Sequence, residues 1–195
     1  GCFDRVIVST DDSEIAAVAE EQGAEVPFRR PARLADDHTG TVPVMAHAIE
    51  WLQESGEQCE AVCCLYATAP LVRPEDLRRG REALEAADAD YAFSVTSYAF
   101  PIQRALRITD AGRVAMFHPE YANTRSQDLE EAWHDAGQFY WGRSEAWLFG
   151  KPVMTSDAVP VQLPRERVQD IDTIEDWRRA EWLFKAMQAE AGETQ

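Results

Sequence analysis

No apolar run in the chain's 195 residues approaches membrane-spanning length, and no signal peptide is visible, so a helical membrane protein is not indicated. Basic residues are scarce: 19 Lys and Arg stand against 35 Asp and Glu, a net charge of −16. A surface of that sign repels phosphate backbones, which argues against nucleic acid as a partner. It does not exclude a small anionic substrate, because a divalent cation or a local basic cluster overrides the global field. Cysteines are few, at positions 2, 59, 63 and 64. Cys63 and Cys64 are adjacent in an apolar strand-like run and read as buried thiols of a reducing, cytoplasmic compartment, not as a zinc site or disulfide set. A Gly-x-Gly-x-x-Gly fingerprint is missing, as is any Ser/His/Asp order that fits a hydrolase elbow. Dehydrogenase and hydrolase chemistry are thereby disfavoured.

Hydrophobic residues make up 45% of the chain, enough for a real core in one domain spanning residues 1–195. Strand character recurs at 5–9, 25–28, 61–66 and 91–96, where β-branched and aromatic residues cluster. Between them lie helical patterns at 13–22, 41–53 and 74–87. Asp11 is placed to cap the first, with Glu14 three residues on, and Gly23 to stop it. Pro74 suits the first turn of the third. Alternating strands and helices predict a mostly parallel sheet with helices on both faces. The pattern then changes. Segments 104–109 and 113–117 flank Asp110-Ala111-Gly112 and read as a hairpin inserted on the domain, within an arm of about 98–127. Strands at 138–141 and 158–163 follow. A short helix at 143–148 lies between them. A last helix at 174–189 has Trp177, Ala180, Leu183, Phe184 and Met187 on its apolar side.

Ligands in such sheets bind beyond the carboxyl ends of strands, and three polar clusters fall there. Ser9-Thr10-Asp11-Asp12 serves as a helix cap, a ligand-facing loop or both. Tyr66-Ala67-Thr68-Ala69-Pro70 is a small-residue turn that lets a bulky ligand approach backbone, or an ordinary connection. Asp170 and Asp172 alternate with Ile171, so in extended backbone both carboxylates face one way. Like charges at that spacing favour a cation between them, and oxygen donors suit Mg2+. The competing account has Asp172 or Thr173 only capping the final helix. Arg29, Arg30 and Arg33 could hold phosphate or simply pair with Asp36 and Asp37. Arg125, Gln127 and Asp128 follow the hairpin as candidates for a sugar or a second subunit, or as plain surface. His118 and His134 are too isolated for metal ligands.

In order, the segments 6–16, 25–37, 66–71, 126–129, 134–141 and 170–173 resemble the acylneuraminate cytidylyltransferase family over nearly the whole chain. Tyr66-Ala67-Thr68-Ala69-Pro70-Leu71 resembles the form found in that family's pseudaminic acid branch, where sialic acid enzymes have glutamine first. The resemblance implies a Rossmann-like nucleotide-diphospho-sugar transferase fold with the hairpin as a dimerisation arm. It implies transfer of CMP from CTP to the anomeric hydroxyl of a nine-carbon keto sugar acid, with release of pyrophosphate. It further implies Asp170 and Asp172 as catalytic Mg2+ ligands, and Arg30, Thr41 and Asp11 as nucleotide contacts. Tyr66, Arg125, Gln127, His134, Gln138 and Phe139 fall in the sugar-binding and arm region. Implied partners are CTP, the sugar acid and a second copy in a homodimer, with no nucleic acid and no membrane. An octulosonic or sialic acid transferase, or a non-enzymatic binding module of the same fold, are the rival readings. The family's Ala-Arg-x-x-Ser-Lys-like phosphate loop and first strand have no counterpart before residue 6. The expectation is that the 195-residue chain alone is unstable or inactive while a longer parent is active.

Overall fold

Asp12, not Asp11, opens the first helix. Its carboxylate accepts hydrogen bonds from the backbone N–H groups of Glu14 and Ile15, and α1 runs Ser13–Glu21. Both belong to a computed structural model that describes residues 1–193. The predicted flanking strands at 5–9 and 25–28 shrink to one parallel bridge between Ile7 and Glu25, with Val8 N–H donating to Glu25 O at 2.9 Å. Helix α2 spans Thr41–Glu54, α3 Pro74–Ala86, α4 Ser144–Leu148 and α5 Ile174–Glu193. Pro74 stands at the start of α3 as expected.

Six strands form: β1 Ala61–Leu65, β2 Tyr91–Ser97, β3 Leu106–Ile108, β4 Val114–Met116, β5 Trp133–Arg143 and β6 Ala158–Gln162. β3 and β4 make the predicted antiparallel hairpin, Arg107 opposite Ala115. The other four form one sheet in the order β1-β5-β2-β6.

The expectation of a mostly parallel sheet is corrected here: the sheet is mixed. Ser144 N–H bonds Glu60 O and Tyr66 N–H bonds Gln138 O, so β1 and β5 run in opposite directions. Arg143 N–H bonds Asp90 O and Tyr98 N–H bonds Ala132 O, which makes β5 and β2 antiparallel as well. Only β2 and β6 pair in parallel, through Asp90 N–H to Asp157 O and Leu163 N–H to Val95 O. Parallel neighbours require a crossover, usually a helix. The chain between β2 and β5 holds the hairpin and short 3-10 turns and no α-helix, so β5 enters the sheet reversed.

Two compact units divide the chain. The first comprises 1–65, 73–93 and 140–159. Tyr91 and Trp147 meet edge to face with centroids 4.9 Å apart, and Trp141 Nε1–H donates to Leu77 O at 2.8 Å. Both tryptophans thus bury their rings with their polar edge satisfied. Helix α2 packs on α4. All four cysteines are free and half-buried, not fully buried. Desolvation raises the thiols of Cys63 and Cys64, the latter to about 12.

The second unit comprises 66–72, 94–139 and 160–195. Val95, Ala136, Phe139, Val161 and Leu163 are buried in it. Ser94 and Thr96 are buried too, their hydroxyls donating to Phe139 O and Leu163 O. The predicted apolar side of the last helix is corrected: Ala180 is buried, but Trp177 and Phe184 are exposed, as is Trp182. No helix among the described residues is long and apolar enough to cross a membrane.

Candidate active site

In the first unit, the loop after Ile7 is tied to the loop before Pro31. Arg30 donates through its guanidinium to the Ser9 hydroxyl at 3.2 Å and to Ser9 O, and its backbone N–H reaches Thr10 O at 2.9 Å. Arg29 donates to Asp12 O at 2.7 Å. Asp36 does not pair with these arginines. It accepts from His38 N–H, Thr39 N–H and the Thr39 hydroxyl, and these bonds lower its carboxyl below the ordinary value. Asp11 is exposed beside this arrangement, and Thr41 is the first residue of α2.

In the second unit, the segment 167–170 lies against β5. Gln138 is almost wholly buried, and its Nε2–H donates to Arg167 O at 2.6 Å while its Oε1 has no partner in the structure. Gly137 adopts the left-handed conformation, φ +63°. A Cβ at that position would meet Cγ and Oδ1 of Asp170 at 3.4 Å. Asp135 Oδ1 accepts the Gly137 N–H at 2.9 Å. Tyr66, half-exposed, is joined to the same stretch by its N–H to Gln138 O at 3.0 Å. Tyr66, Gln138, Gly137 and Asp170 are therefore neighbours, which brings together three of the sequence-predicted residues.

Asp170 and Asp172 are both exposed. Asp170 Oδ1 accepts the Ile171 N–H at 3.0 Å. The cap of α5 is Thr173, whose hydroxyl accepts from Asp176 N–H at 3.2 Å while Asp176 accepts from Thr173 N–H at 3.0 Å and its hydroxyl at 2.7 Å. This is a reciprocal capping box with aspartate in the usual glutamate place. The bonds from Thr173 lower the Asp176 carboxyl. The capping carboxylate is thus Asp176, which also accepts from the backbone N–H of Asp172.

The remaining predicted residues are dispersed. Phe139 is fully buried in the core of its unit. His134 stacks on Tyr98 with centroids 4.7 Å apart, and its Nδ1 lies 2.8 Å from Asp135 O. A carbonyl only accepts, so Nδ1 is the donor in that contact. Arg125 forks onto Asp128 at 2.7 and 3.1 Å. Gln127 lines a cavity of about 230 Å³ with Tyr98, Ser126 and Glu130. Gly137 was not singled out from the sequence, although a glycine inside an apolar strand pattern signals a bulge or a close approach.

The first unit thus carries an arginine-tied loop and the second an Asp170 carboxylate seated against β5, each on an α/β framework. Residues 1–167 match the family model described as cytidylyltransferase, and the chain belongs to that family. It is 42% identical over 185 residues to a pseudaminic acid cytidylyltransferase of Campylobacter jejuni, covering 95% of this chain and 80% of that protein. A Helicobacter pylori protein described as a pseudaminic acid cytidylyltransferase and UDP-2,4-diacetamido-2,4,6-trideoxy-beta-L-altropyranose hydrolase is 32% identical over 170 residues, covering 87% of this chain and 32% of that protein. Among solved structures, a CMP:2-keto-3-deoxy-manno-octonic acid synthetase complexed with CTP superposes with a TM-score of 0.63 at 11% identity, over 94% of this chain and 81% of that one. That likeness supports the fold alone.

Proposed function

We propose that the protein to which these residues belong transfers CMP from CTP to the anomeric hydroxyl of a nine-carbon keto sugar acid, with pseudaminic acid as its substrate. The sugar oxygen attacks the α-phosphorus. The bond from that phosphorus to the bridging oxygen breaks, pyrophosphate leaves, and the sugar hydroxyl loses its proton. The observation that carries the reading is the 42% identity to a pseudaminic acid cytidylyltransferase across 95% of the chain, joined to the Asp170 carboxylate lodged over Gly137.

The carboxylates fit Mg2+. Mg2+ is commonly held by one or two carboxylates, with phosphate oxygens and water completing its shell. Asp170 and Asp172 are exposed oxygen donors, Asp170 lying against Gly137 of β5. No group of three or more His, Cys, Asp or Glu side chains that could hold a metal ion is found among the described residues. Asp170 and Asp172 would hold the ion. When bound, it supplies charge neutralisation to the triphosphate and the attacking oxygen.

The chain's own residues do the rest. Arg30, Asp11 and Thr41 face the nucleotide, Arg30 with its guanidinium oriented by Ser9. Tyr66 faces the sugar with Gln138 buried behind it, bonded to Arg167 O, and Gln127, Arg125 and His134 serve the sugar and arm region. Phe139 supports this wall from the core. The exposed hairpin β3–β4 is the arm of a homodimer, and the protein works in the cytoplasm.

The test is pyrophosphate release by a longer parent, beside the 195-residue chain expected to be inactive alone, with CTP, Mg2+ and pseudaminic, sialic or octulosonic acid in turn. Turnover highest with pseudaminic acid, and reduced on the order of a hundredfold in Asp170→Asn, is the expected result. Preference for the octulosonic acid would move the substrate assignment, and unchanged turnover in Asp170→Asn would remove the metal assignment.

A further inference from the structure

We infer that the groove between α5 and the 3-10 turn Arg165–Arg167 binds a nucleotide, a phosphate-bearing ligand with a flat ring, through side chains that the proposed reaction does not use. The inference goes beyond the reading of the chain as a cytidylyltransferase and does not depend on it.

Helical spacing builds one wall. Residues three and four apart share a helix face, so Glu175, Arg178, Arg179, Trp182 and Leu183 line one side of α5. Arg165 and Gln169 stand on the other wall, and all of these residues belong to the second unit. The space between the walls is about 470 Å³, within the range of small-molecule sites. Its charge runs against that of the molecule: three arginines meet one carboxylate, Glu175, in a chain of net −16. Arg165 is steadied by its Nη1–H, which donates to Tyr98 O at 3.2 Å. Arg179 lies close enough to Asp176 to help lower that carboxyl, but Asp176 is already engaged by Thr173 and, at 3.1 Å, by the Gln169 Nε2–H. Among the described residues neither Arg165 nor Arg178 forms an ion pair.

Trp182 supplies the flat surface. Its side chain is 65% exposed, and no cation is stacked on its ring among the described residues. Nucleobases stack on such a ring whatever their identity, because every base has a π-face. Guanidiniums fork onto phosphate oxygens, and Arg178 and Arg179 stand one turn of helix before the indole. Neither half of the groove explains the other. A bare phosphate makes no use of Trp182 and Leu183, and an apolar ligand makes none of three arginines. A ring joined to phosphates uses both.

The experiment is isothermal titration calorimetry on the longer parent, in EDTA so that no nucleotide is held through a metal ion. CTP, ATP and pyrophosphate are titrated in turn into the wild type, Trp182→Leu and the double variant Arg178→Glu, Arg179→Glu. Arg78→Glu is the charge control, since Arg78 is an exposed residue of α3 outside the groove. Nucleotide affinity is expected to fall about tenfold in Trp182→Leu and about 10–100-fold in the double variant, and to stay at the wild-type value in Arg78→Glu. Pyrophosphate, which cannot stack, is expected to bind about tenfold more weakly than the nucleotides. Tighter CTP assigns the groove to a cytidine nucleotide, and tighter ATP to an adenine nucleotide. Wild-type affinity in both groove variants, or an equal loss in Arg78→Glu, overturns the inference. So does pyrophosphate bound as tightly as the nucleotides, or no binding of either nucleotide by the wild type. If one groove variant fails to fold, the other decides.

Discussion

In the proposed function Tyr66 offers the sugar ring surface and one hydroxyl. Its backbone is fixed on Gln138, so its side chain is presented from a stable position. A tyrosine there suits a deoxygenated, diacylated sugar better than a hydroxyl-rich one, since a buried polar group of the sugar left without a partner is penalised. Tyr66→Gln is expected to lower kcat/KM for pseudaminic acid and raise it for sialic acid; unchanged ratios would remove Tyr66 from specificity. Gly142 illustrates the use of a glycine for packing alone. A Cβ there would stand 2.7 Å from both Trp147 Cε2 and Tyr91 Cε1, inside the first unit's aromatic core. Those rings are fully buried and cannot retreat. Gly142→Ala is expected to destabilise the protein by about 1–3 kcal/mol through overpacking, read as a lower thermal midpoint with the Mg2+ affinity of the folded protein unchanged.

Among the elements, the start of α1 separates two adjacent aspartates that the sequence leaves equivalent. The residue with extended backbone and an oxygen facing the second and third helical N–H groups is Asp12, at φ −86° and ψ 131°. Its carboxyl is lowered from the ordinary 3.8, first by the Ile15 N–H and then by that of Glu14. A depressed carboxyl stabilises the folded form fully above its unfolded value, and that contribution is lost as pH falls through the lower folded value. The cap therefore persists down to about pH 3.8 and fails below it. Asp12→Ala is expected to speed amide exchange in the first turn of α1 at neutral pH, and Asp11→Ala to leave it unchanged. The reverse result would return the cap to Asp11. The final helix follows the same logic. Its box uses Thr173 and Asp176, so the capping carboxylate is neither of the two acids singled out from the sequence.

At the level of the whole molecule, the hairpin and the segment before it expose apolar side chains, Phe100 at 82% and Ile108 at 80%. Patches of that kind mark interaction surfaces, and a second copy is the covering that fits an arm. Ile108→Glu is expected to shift the protein from dimer to monomer in multi-angle light scattering; a wild type that is already monomeric ends the dimer proposal. Charge, helix positions, the hairpin and the order of the polar clusters were all legible in the sequence. Each depends on composition or on residues within a turn or two of one another. Alternating strand and helix patterns even located β1, β2 and β6. The direction of β5 was not legible, because a strand's residue pattern is the same whichever way it enters a sheet and only the missing crossover helix reverses it. The seat of Asp170 on Gly137 was equally hidden. It joins residues more than thirty positions apart, through a backbone angle that no local pattern demands. What the sequence by itself determined was which groups would be present and on which elements. Only the tertiary structure decided which way they point and which of them meet, since that depends on pairing and packing between distant segments.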